Sequence, residues 1–109
     1  MLDPDGTAAD NLAYFDATNS DLIAAGGPTD GRSFIDHLVA AGFTKEHMEV
    51  TFDATSVGLD ADSVQFAVRW AEECLIGQYG PASGGYHSLV APRLSTGTCL
   101  AGQTRPIDW

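Results

Sequence analysis

The length, composition and charge of this chain exclude several classes of protein. Its 109 residues suffice for one modest hydrophobic core, and the 44% that are hydrophobic are typical of a globular domain rather than a disordered one. Fifteen acidic residues against five basic ones give a formal net charge of -10. Because such a charge repels phosphate backbones and anionic lipid surfaces, we expect no nucleic-acid partner and no direct binding to a membrane surface.

Two helices are predicted in the first part of the chain. The first spans residues 7–25, where apolar residues recur every three or four positions and Thr7 and Asp10 have the spacing of a capping box. The second begins after a Gly-Gly-Pro turn and stops at Gly42, with Phe43 placed to cover its end as in a Schellman motif. We therefore expect a helical hairpin at the N-terminal side of the domain.

After the second helix the hydrophobic period changes from 3.6 to 2, which predicts strands. The alternation covers residues 48–52 and 64–70, and a short polar turn at 71–73 leads into a third strand over residues 74–79. Trp70 continues the apolar face of the second strand, so we expect its side chain to face the helices rather than solvent. The pattern predicts a small antiparallel sheet.

The two cysteines, Cys74 and Cys99, each open a similar pentapeptide, CLIGQ and CLAGQ. The echo favours two strands joined by a disulfide over two buried thiols, which places residues 98–102 beside the third strand. The glycine of each pentapeptide is expected where a backbone approaches closely or a strand bends. A bridge that closes about 25 residues stabilises a fold by roughly 3–4 kcal/mol. Because disulfides persist mainly outside a reducing cytoplasm, we expect an extracytoplasmic protein.

Residues 80–88 are rich in Gly, Pro, Ser and Ala, which predicts a surface loop. Tyr79, Tyr86 and His87 lie at its margins, and amphipathic aromatic side chains beside a flexible loop are common at recognition surfaces. We expect these three residues to form a binding site, and a core position for Tyr79 at a strand end is an equal alternative. Residues 89–95 carry no pattern that assigns them to an element.

The sequence lacks catalytic and metal-binding patterns. The three histidines, His37, His47 and His87, do not have the spacing of zinc ligands, and a calcium-loop pattern starting at Asp60 fails at its sixth and twelfth positions. The adjacent acids Glu72-Glu73 fit a solvated turn better than an acid–base pair, and there is no Gly-x-Ser-x-Gly nucleophile elbow. We therefore expect no catalytic residue, no bound metal and no cofactor.

Three basic residues, Arg69, Arg93 and Arg105, stand out in so acidic a chain. The first interpretation is that they form ion pairs with neighbouring Asp and Glu residues, and the alternative is an anion-binding patch at the edge of the sheet. Beyond them, the tail carries Ile107 and Trp109, apolar residues that we expect to dock on the domain.

Several segments together resemble a known family. They are DAT at residues 53–55, SVQFAVR at 63–69, the pentapeptide at Cys74, and CLAGQTRPI at 99–107. They are similar to an actinobacterial family of short extracytoplasmic proteins of unknown function, often lipid-anchored. The resemblance covers roughly residue 12 onward, implies export and an N-terminal lipid anchor, and supplies no catalytic residues. Because the sequence shows no signal peptide and no membrane span, we expect it to be the mature portion of an exported protein, with Met1 an expression start.

These observations predict one α+β domain over residues 1–109, in which an N-terminal helical hairpin packs on a small antiparallel β-sheet with one disulfide. Residues 1–6 are expected to be flexible or derived from expression. The expected function is a non-enzymatic interaction or ligand-binding module of the cell envelope; the alternatives are a small secreted hydrolase and a structural assembly domain. The expected partner is an envelope protein or a small ligand, and a homo-oligomer is left open.

Overall fold

The computed structural model of the chain describes residues 2–3, 5–26, 28–51, 64–80, 85–100 and 104–109. Within these ranges two helices precede four strands, with one short 3₁₀ helix, Lys45–His47, between them. The helices and strands are α1 (Ala8–Ala24), α2 (Gly31–Ala40), β1 (Met48–Val50), β2 (Val64–Trp70), β3 (Glu73–Gly80) and β4 (Gly85–Pro92). No helix in the described ranges combines the length and the apolar character that crossing a membrane requires.

Helix α1 begins where the sequence predicts it. The Thr7 hydroxyl accepts the backbone N–H of Asp10 at 3.1 Å, and the Asp10 carboxylate accepts the N–H of Thr7 at 3.0 Å, so the capping box is complete. The helix buries Phe15 against the sheet, and the fully buried Asn11 side chain holds the N-terminal segment by bonding the backbone of Asp3 in both directions. The predicted flexibility of residues 1–6 stays a prediction.

Helix α2 also has the predicted ends. Its N-cap is Asp30, whose pKa is held below its ordinary value by hydrogen bonds from Ser33. At the other end Gly42 has a φ of 109°, and the N–H of Phe43 reaches the carbonyl of Leu38 at 3.1 Å. This is the bond that defines the Schellman motif, and the buried Phe43 ring covers the helix end as expected.

The four strands form one antiparallel sheet in the order β1-β2-β3-β4. The β2–β3 connection is a tight hairpin in which Trp70 pairs with Glu73, and its first turn residue, Ala71, has a left-handed φ of 55°. On the outer side of β1, the N–H of Arg105 donates to the carbonyl of Val50 at 2.8 Å, so the tail covers that edge. The predicted α+β architecture of helices on a small antiparallel sheet is confirmed.

The fourth strand corrects one prediction from the sequence. The sequence predicts a surface loop over residues 80–88, but Gly80 ends β3 and Gly85–Pro92 is the fourth strand, paired along its whole length with β3. The strand also takes in part of the unassigned residues 89–95. Only residues 81–84 of the predicted loop lie outside the described residues. The prediction failed because a strand can be built from Gly, Ser and Ala when a neighbouring strand supplies the hydrogen bonds.

The second cysteine segment corrects the prediction of a second strand beside β3. Cys74 and Cys99 form the expected disulfide with their Cα atoms 5.8 Å apart, but Cys99 and Leu100 lie in bends rather than a strand. Their backbone N–H groups donate to the carboxylate of Glu49 at 2.8 and 3.0 Å, so a side chain replaces the strand partner that the pattern predicted. Residues 101–103 lie outside the described residues, as do Phe52, residues 53–55 and the first four positions (60–63) of the failed calcium-loop pattern.

The core lies between the helices and one face of the sheet. Its centre is a group of aromatic rings. The ring centroid of Phe66 lies 4.4 Å from that of Phe34, on which it stacks, and 5.9 Å from that of Phe15. Trp70 extends this face: it packs on the core and its indole N–H donates to the carbonyl of Gly6 at 2.8 Å, which confirms the predicted side of the strand. On the opposite face, Cys99 and Leu100 form a smaller apolar cluster over β2 and β3.

The C-terminal tail docks on the domain, as predicted. Ile107 and Trp109 pack against the core, and the indole N–H of Trp109 donates to the Asp36 carboxylate at 2.7 Å. The guanidinium groups of Arg32 and Arg105 lie 5.3 and 4.8 Å from the centroid of the indole, in cation–π geometry.

Candidate functional site

The five basic residues of the chain fall into two groups in space. Three contact the tail through Trp109: Arg32, Arg105 and Lys45, which donates to the backbone oxygen of Trp109. The other two, Arg69 and Arg93, line one cavity with His47 at the end of the sheet where β2 turns into β3. In a chain of net charge -10 with only five basic residues, this second group places two arginines at one cavity.

The antiparallel register explains why these three residues meet. Met48 pairs with Val68, so His47, just before β1, lies beside Arg69 near the end of β2. Arg93 directly follows β4, and its N–H donates to the carbonyl of Glu72 in the β2–β3 turn at 3.2 Å. Residues far apart in sequence are therefore placed at the same end of the sheet.

The two guanidinium groups are held by backbone oxygens rather than by carboxylates. Arg69 Nη2 donates to the carbonyl of Glu46 at 2.6 Å, while Arg93 Nε donates to Gly97 at 2.8 Å and its Nη1 reaches Ala71 at 3.3 Å. Arg69 Nε is buried and has no hydrogen-bond partner among the described residues. Neither arginine has an ion-pair partner in the described ranges, so no carboxylate there balances the charge of either guanidinium group. The ion pairs expected for these two arginines are not found there.

A tight turn positions Arg93. The N–H of Gly97 donates to the carbonyl of Leu94 at 2.8 Å, and Gly97 has a left-handed φ of 84° that favours glycine. The turn directs the Gly97 carbonyl at Arg93 Nε, which helps to hold the guanidinium of this lining residue in place.

Two adjoining cavities make up the site, which we call the basic pocket and the apolar pocket. The basic pocket, about 370 Å³, is lined by His47, Arg69, Ala71 and Arg93. The apolar pocket, about 410 Å³, shares the first three of these and is otherwise lined by the N-terminal segment, the end of α2 and β2: Leu2, Gly6, Gly42, Phe43, Thr44 and Trp70. The described lining of both pockets contains no Asp or Glu. The site therefore combines positively charged hydrogen-bond donors in one pocket with an apolar surface in the next.

The predicted aromatic site lies at the opposite end of β3 and β4, away from the turn. Tyr79 and Tyr86 are a cross-strand pair on the side of the helices, and both pack on the core. His87 is exposed and, as the next residue along the strand, points to the other face. The structure thus brings the two tyrosines together but separates them from His87, and a binding role for the three stays a prediction.

Tyr86 ties the edge strand to α1. Its hydroxyl donates to Asp16 Oδ1 at 2.7 Å and accepts from Asn19 Nδ2 at 2.9 Å. Burial raises the pKa of the phenol well above its ordinary value, and the Asp16 carboxylate raises it further. In the described part of the chain, no three His, Cys, Asp or Glu side chains are grouped to hold a metal ion.

Comparison with known families places the chain. A family model described as a domain of unknown function, DUF6993, matches residues 19–103. The chain belongs to the DUF6993 family. Searches of curated proteins and of solved structures gave no significant match.

The match to DUF6993 covers the elements that build the basic pocket. It contains His47, Arg69 and Arg93, both cysteines and all four strands, whereas Leu2 and the tail beyond residue 103 lie outside it. Sequence reasoning identified two of the three basic-pocket residues as an anion-binding alternative but grouped them with Arg105, which is placed at Trp109 instead. His47 was missed, and only the strand register would have revealed it in this DUF6993 domain.

Proposed function

We propose that this DUF6993 domain is a non-enzymatic ligand-binding module of the cell envelope that binds an anionic group in the basic pocket. The observation that carries the proposal is the convergence of Arg69, Arg93 and His47 on one cavity without a carboxylate partner among the described residues. Arginine donors that bond only backbone oxygens keep a full charge for an incoming oxyanion.

The strength of such a site is bounded by its hydrogen bonds. One charge-assisted hydrogen bond contributes about 1.5–3 kcal/mol, and two guanidinium groups therefore give about 3–6 kcal/mol before the loss of ligand freedom. After that loss, a small anion such as acetate is expected to bind no more tightly than the millimolar range. The acidic remainder of the chain opposes approach of an anion, so specificity comes from contact rather than long-range attraction.

Binding fits the chemistry of the lining better than hydrolysis does. A guanidinium group donates hydrogen bonds but is not a proton-transfer catalyst, so two arginines suit holding an anion better than acid–base chemistry. Among the described residues, no carboxylate lines the pocket beside His47 to form an acid–base pair.

The proposed location outside the cytoplasm is supported by the disulfide. Cys74 is fully buried and Cys99 nearly so, and they join the sheet to the segment that covers its outer face. A structural disulfide of this kind persists in oxidising compartments. In such a setting an N-terminal lipid anchor, implied by the family resemblance, would hold the module near the membrane.

The test is an NMR titration with sodium acetate at constant ionic strength. We expect the side-chain Nε–H resonances of Arg69 and Arg93 to shift and saturate together, while that of Arg32 stays in place. Arg69→Gln should weaken acetate binding at Arg93 by about tenfold or more, because it removes charged donors from the same cavity. Arg32→Gln makes the same charge change at an exposed residue outside the pocket and serves as the control. Equal, non-saturating shifts at all arginines would show that acetate is only screening the surface, and the proposal would be dropped.

A further inference from the structure

The basic pocket adjoins the apolar pocket, and this arrangement bears on the kind of ligand. The two cavities share His47, Arg69 and Ala71, so an anion held by Arg69 lies next to the space beside Trp70. A ligand consisting only of a charged group would leave that space filled by water. The inference below rests on the proposed function and names the class of ligand for the same site.

We propose that the ligand is a carboxylate monoanion carried on an apolar body, with the carboxylate between Arg69 and Arg93 and the body in the apolar pocket. The planar guanidinium fork matches the two oxygens of a carboxylate, and both arginines line the basic pocket. The apolar pocket, about 410 Å³, is within the size range of small-molecule sites and has room for a ring or a short branched chain.

The walls of the apolar pocket are already held in place without a ligand. Phe43 is only 3% exposed because it closes the end of α2, and Trp70 meets its ring edge-on at 6.3 Å. The indole is also fixed by its hydrogen bond to Gly6. Because these groups need no reordering on binding, little of the binding free energy is lost to entropy.

The charge of the domain favours a monoanion over a dianion. Two guanidinium groups are the permanent cations of the described lining. A second negative charge on the ligand would therefore meet the acidic remainder of the chain without a third cation to balance it. The charge balance therefore favours a carboxylate, with one negative charge, over a phosphate monoester, with two.

The experiment compares four probes at pH 8 and constant ionic strength: 3-phenylpropanoate, acetate, 3-phenylpropan-1-ol and phenyl phosphate. The readout is the indole N–H resonance of Trp70, with that of Trp109, which does not line either cavity, as the internal reference. We expect 3-phenylpropanoate to bind at least about tenfold more tightly than acetate, because its ring leaves water, and to shift Trp70 but not Trp109. The alcohol and phenyl phosphate should each bind more weakly than 3-phenylpropanoate.

Variants divide the site into its two halves. Arg69→Gln or Arg93→Gln should reduce 3-phenylpropanoate affinity by about tenfold, whereas Arg32→Gln should leave it unchanged. Leu2→Ala should reduce affinity for 3-phenylpropanoate but not for acetate, and Leu94→Ala, at an exposed leucine outside both pockets, is its control. Two arginine variants are included so that the result does not depend on one variant that fails to fold.

The outcomes separate this inference from the proposed function. If acetate and 3-phenylpropanoate saturate Arg69 with equal affinity, anion binding stands and the apolar body is refuted. Tighter binding of phenyl phosphate would refute the monoanion, and binding of the alcohol as strong as that of the acid would refute the role of the carboxylate. If no probe saturates Arg69 or Arg93, both the inference and the proposed function fail.

Discussion

Gly77, the glycine of the first cysteine pentapeptide, supports a sharp prediction about the core. It pairs with Phe66 across β2 and β3, and the Phe66 ring lies directly over its backbone. A Cβ at this position would be 2.5 and 2.6 Å from two ring carbons of Phe66 and 3.3 Å from the ring of Phe15. These distances are far below an ordinary carbon–carbon contact, so Gly77→Ala must displace a ring.

The rings around Gly77 have little space in which to move. Phe66 is fully buried, stacks on Phe34 at 4.4 Å and packs on Phe15, so its displacement disturbs the centre of the core. Overpacking of this kind costs about 1–3 kcal/mol. The lower entropy of the unfolded alanine chain offsets about 0.4–1 kcal/mol, and the midpoints of the two ranges leave a net loss of about 1.3 kcal/mol.

Urea unfolding followed by tryptophan fluorescence measures this loss, and the melting temperature should fall by about 4–8 °C for each kcal/mol. The control is the same change in a Phe66→Leu background, where the ring is gone. There Gly77→Ala should be nearly neutral, and the double-mutant cycle should give a coupling energy above about 0.5 kcal/mol. If Gly77→Ala is neutral or stabilising with Phe66 present, the ring is not fixed over the backbone and the argument is wrong.

Two further predictions concern the covalent and polar ties of the sheet. Mass spectrometry of the unreduced protein should show a peptide linking Cys74 to Cys99. Replacing both cysteines by Ala should lower the free energy of unfolding in urea by about 3–4 kcal/mol. Rapid labelling of both thiols in the native protein would contradict the disulfide. Tyr86→Phe should cost about 1–2 kcal/mol because Asp16 and Asn19 lose their shared partner. Because folding raises the pKa of Tyr86, the stabilising effect of its protonated hydroxyl is complete below pH 10 and is lost as the pH rises further. The unfolding free energies of wild type and Tyr86→Phe should therefore converge above pH 10. Parallel curves of unfolding free energy against pH would refute the assignment.

The features that sequence predicted well are those fixed by neighbours in the chain. The capping box at Thr7 and the Schellman end at Gly42 each depend on residues within one helical turn, so residue identity suffices to predict them. The β2–β3 hairpin is similarly local. Even the glycine of CLIGQ was expected at a close approach of a backbone, and the ring over Gly77 is such an approach.

The features that were missed depend on partners distant in sequence. Residues 85–88 belong to a segment of loop-like composition and form the start of strand β4 because β3 lies beside them. The second pentapeptide looked like a strand because it echoes the first, but the Glu49 carboxylate binds the N–H groups that a neighbouring strand would have bound. No pattern in the pentapeptide itself identifies a glutamate fifty residues earlier as its partner.

The candidate site shows the same division. Sequence composition placed Tyr86 and His87 together because a loop imposes no alternation, but a strand sends consecutive side chains to opposite faces. Conversely, the scarcity of basic residues drew attention to Arg69 and Arg93 without showing that they meet. Their meeting with His47 follows from strand register, which is set by the packing of the whole sheet.

The position of β4 inside the ring closed by the disulfide affects how copies of this protein can interact. All of Gly85–Pro92 lies between Cys74 and Cys99, so both ends of the edge strand are covalently tied to the same copy. Exchange of this strand between two copies, a common route to domain-swapped dimers, would require the ring to open or to be threaded. The oxidised domain can therefore let its edge strand detach transiently without passing it to a neighbour, even though the strand carries none of the charged residues that usually protect an edge.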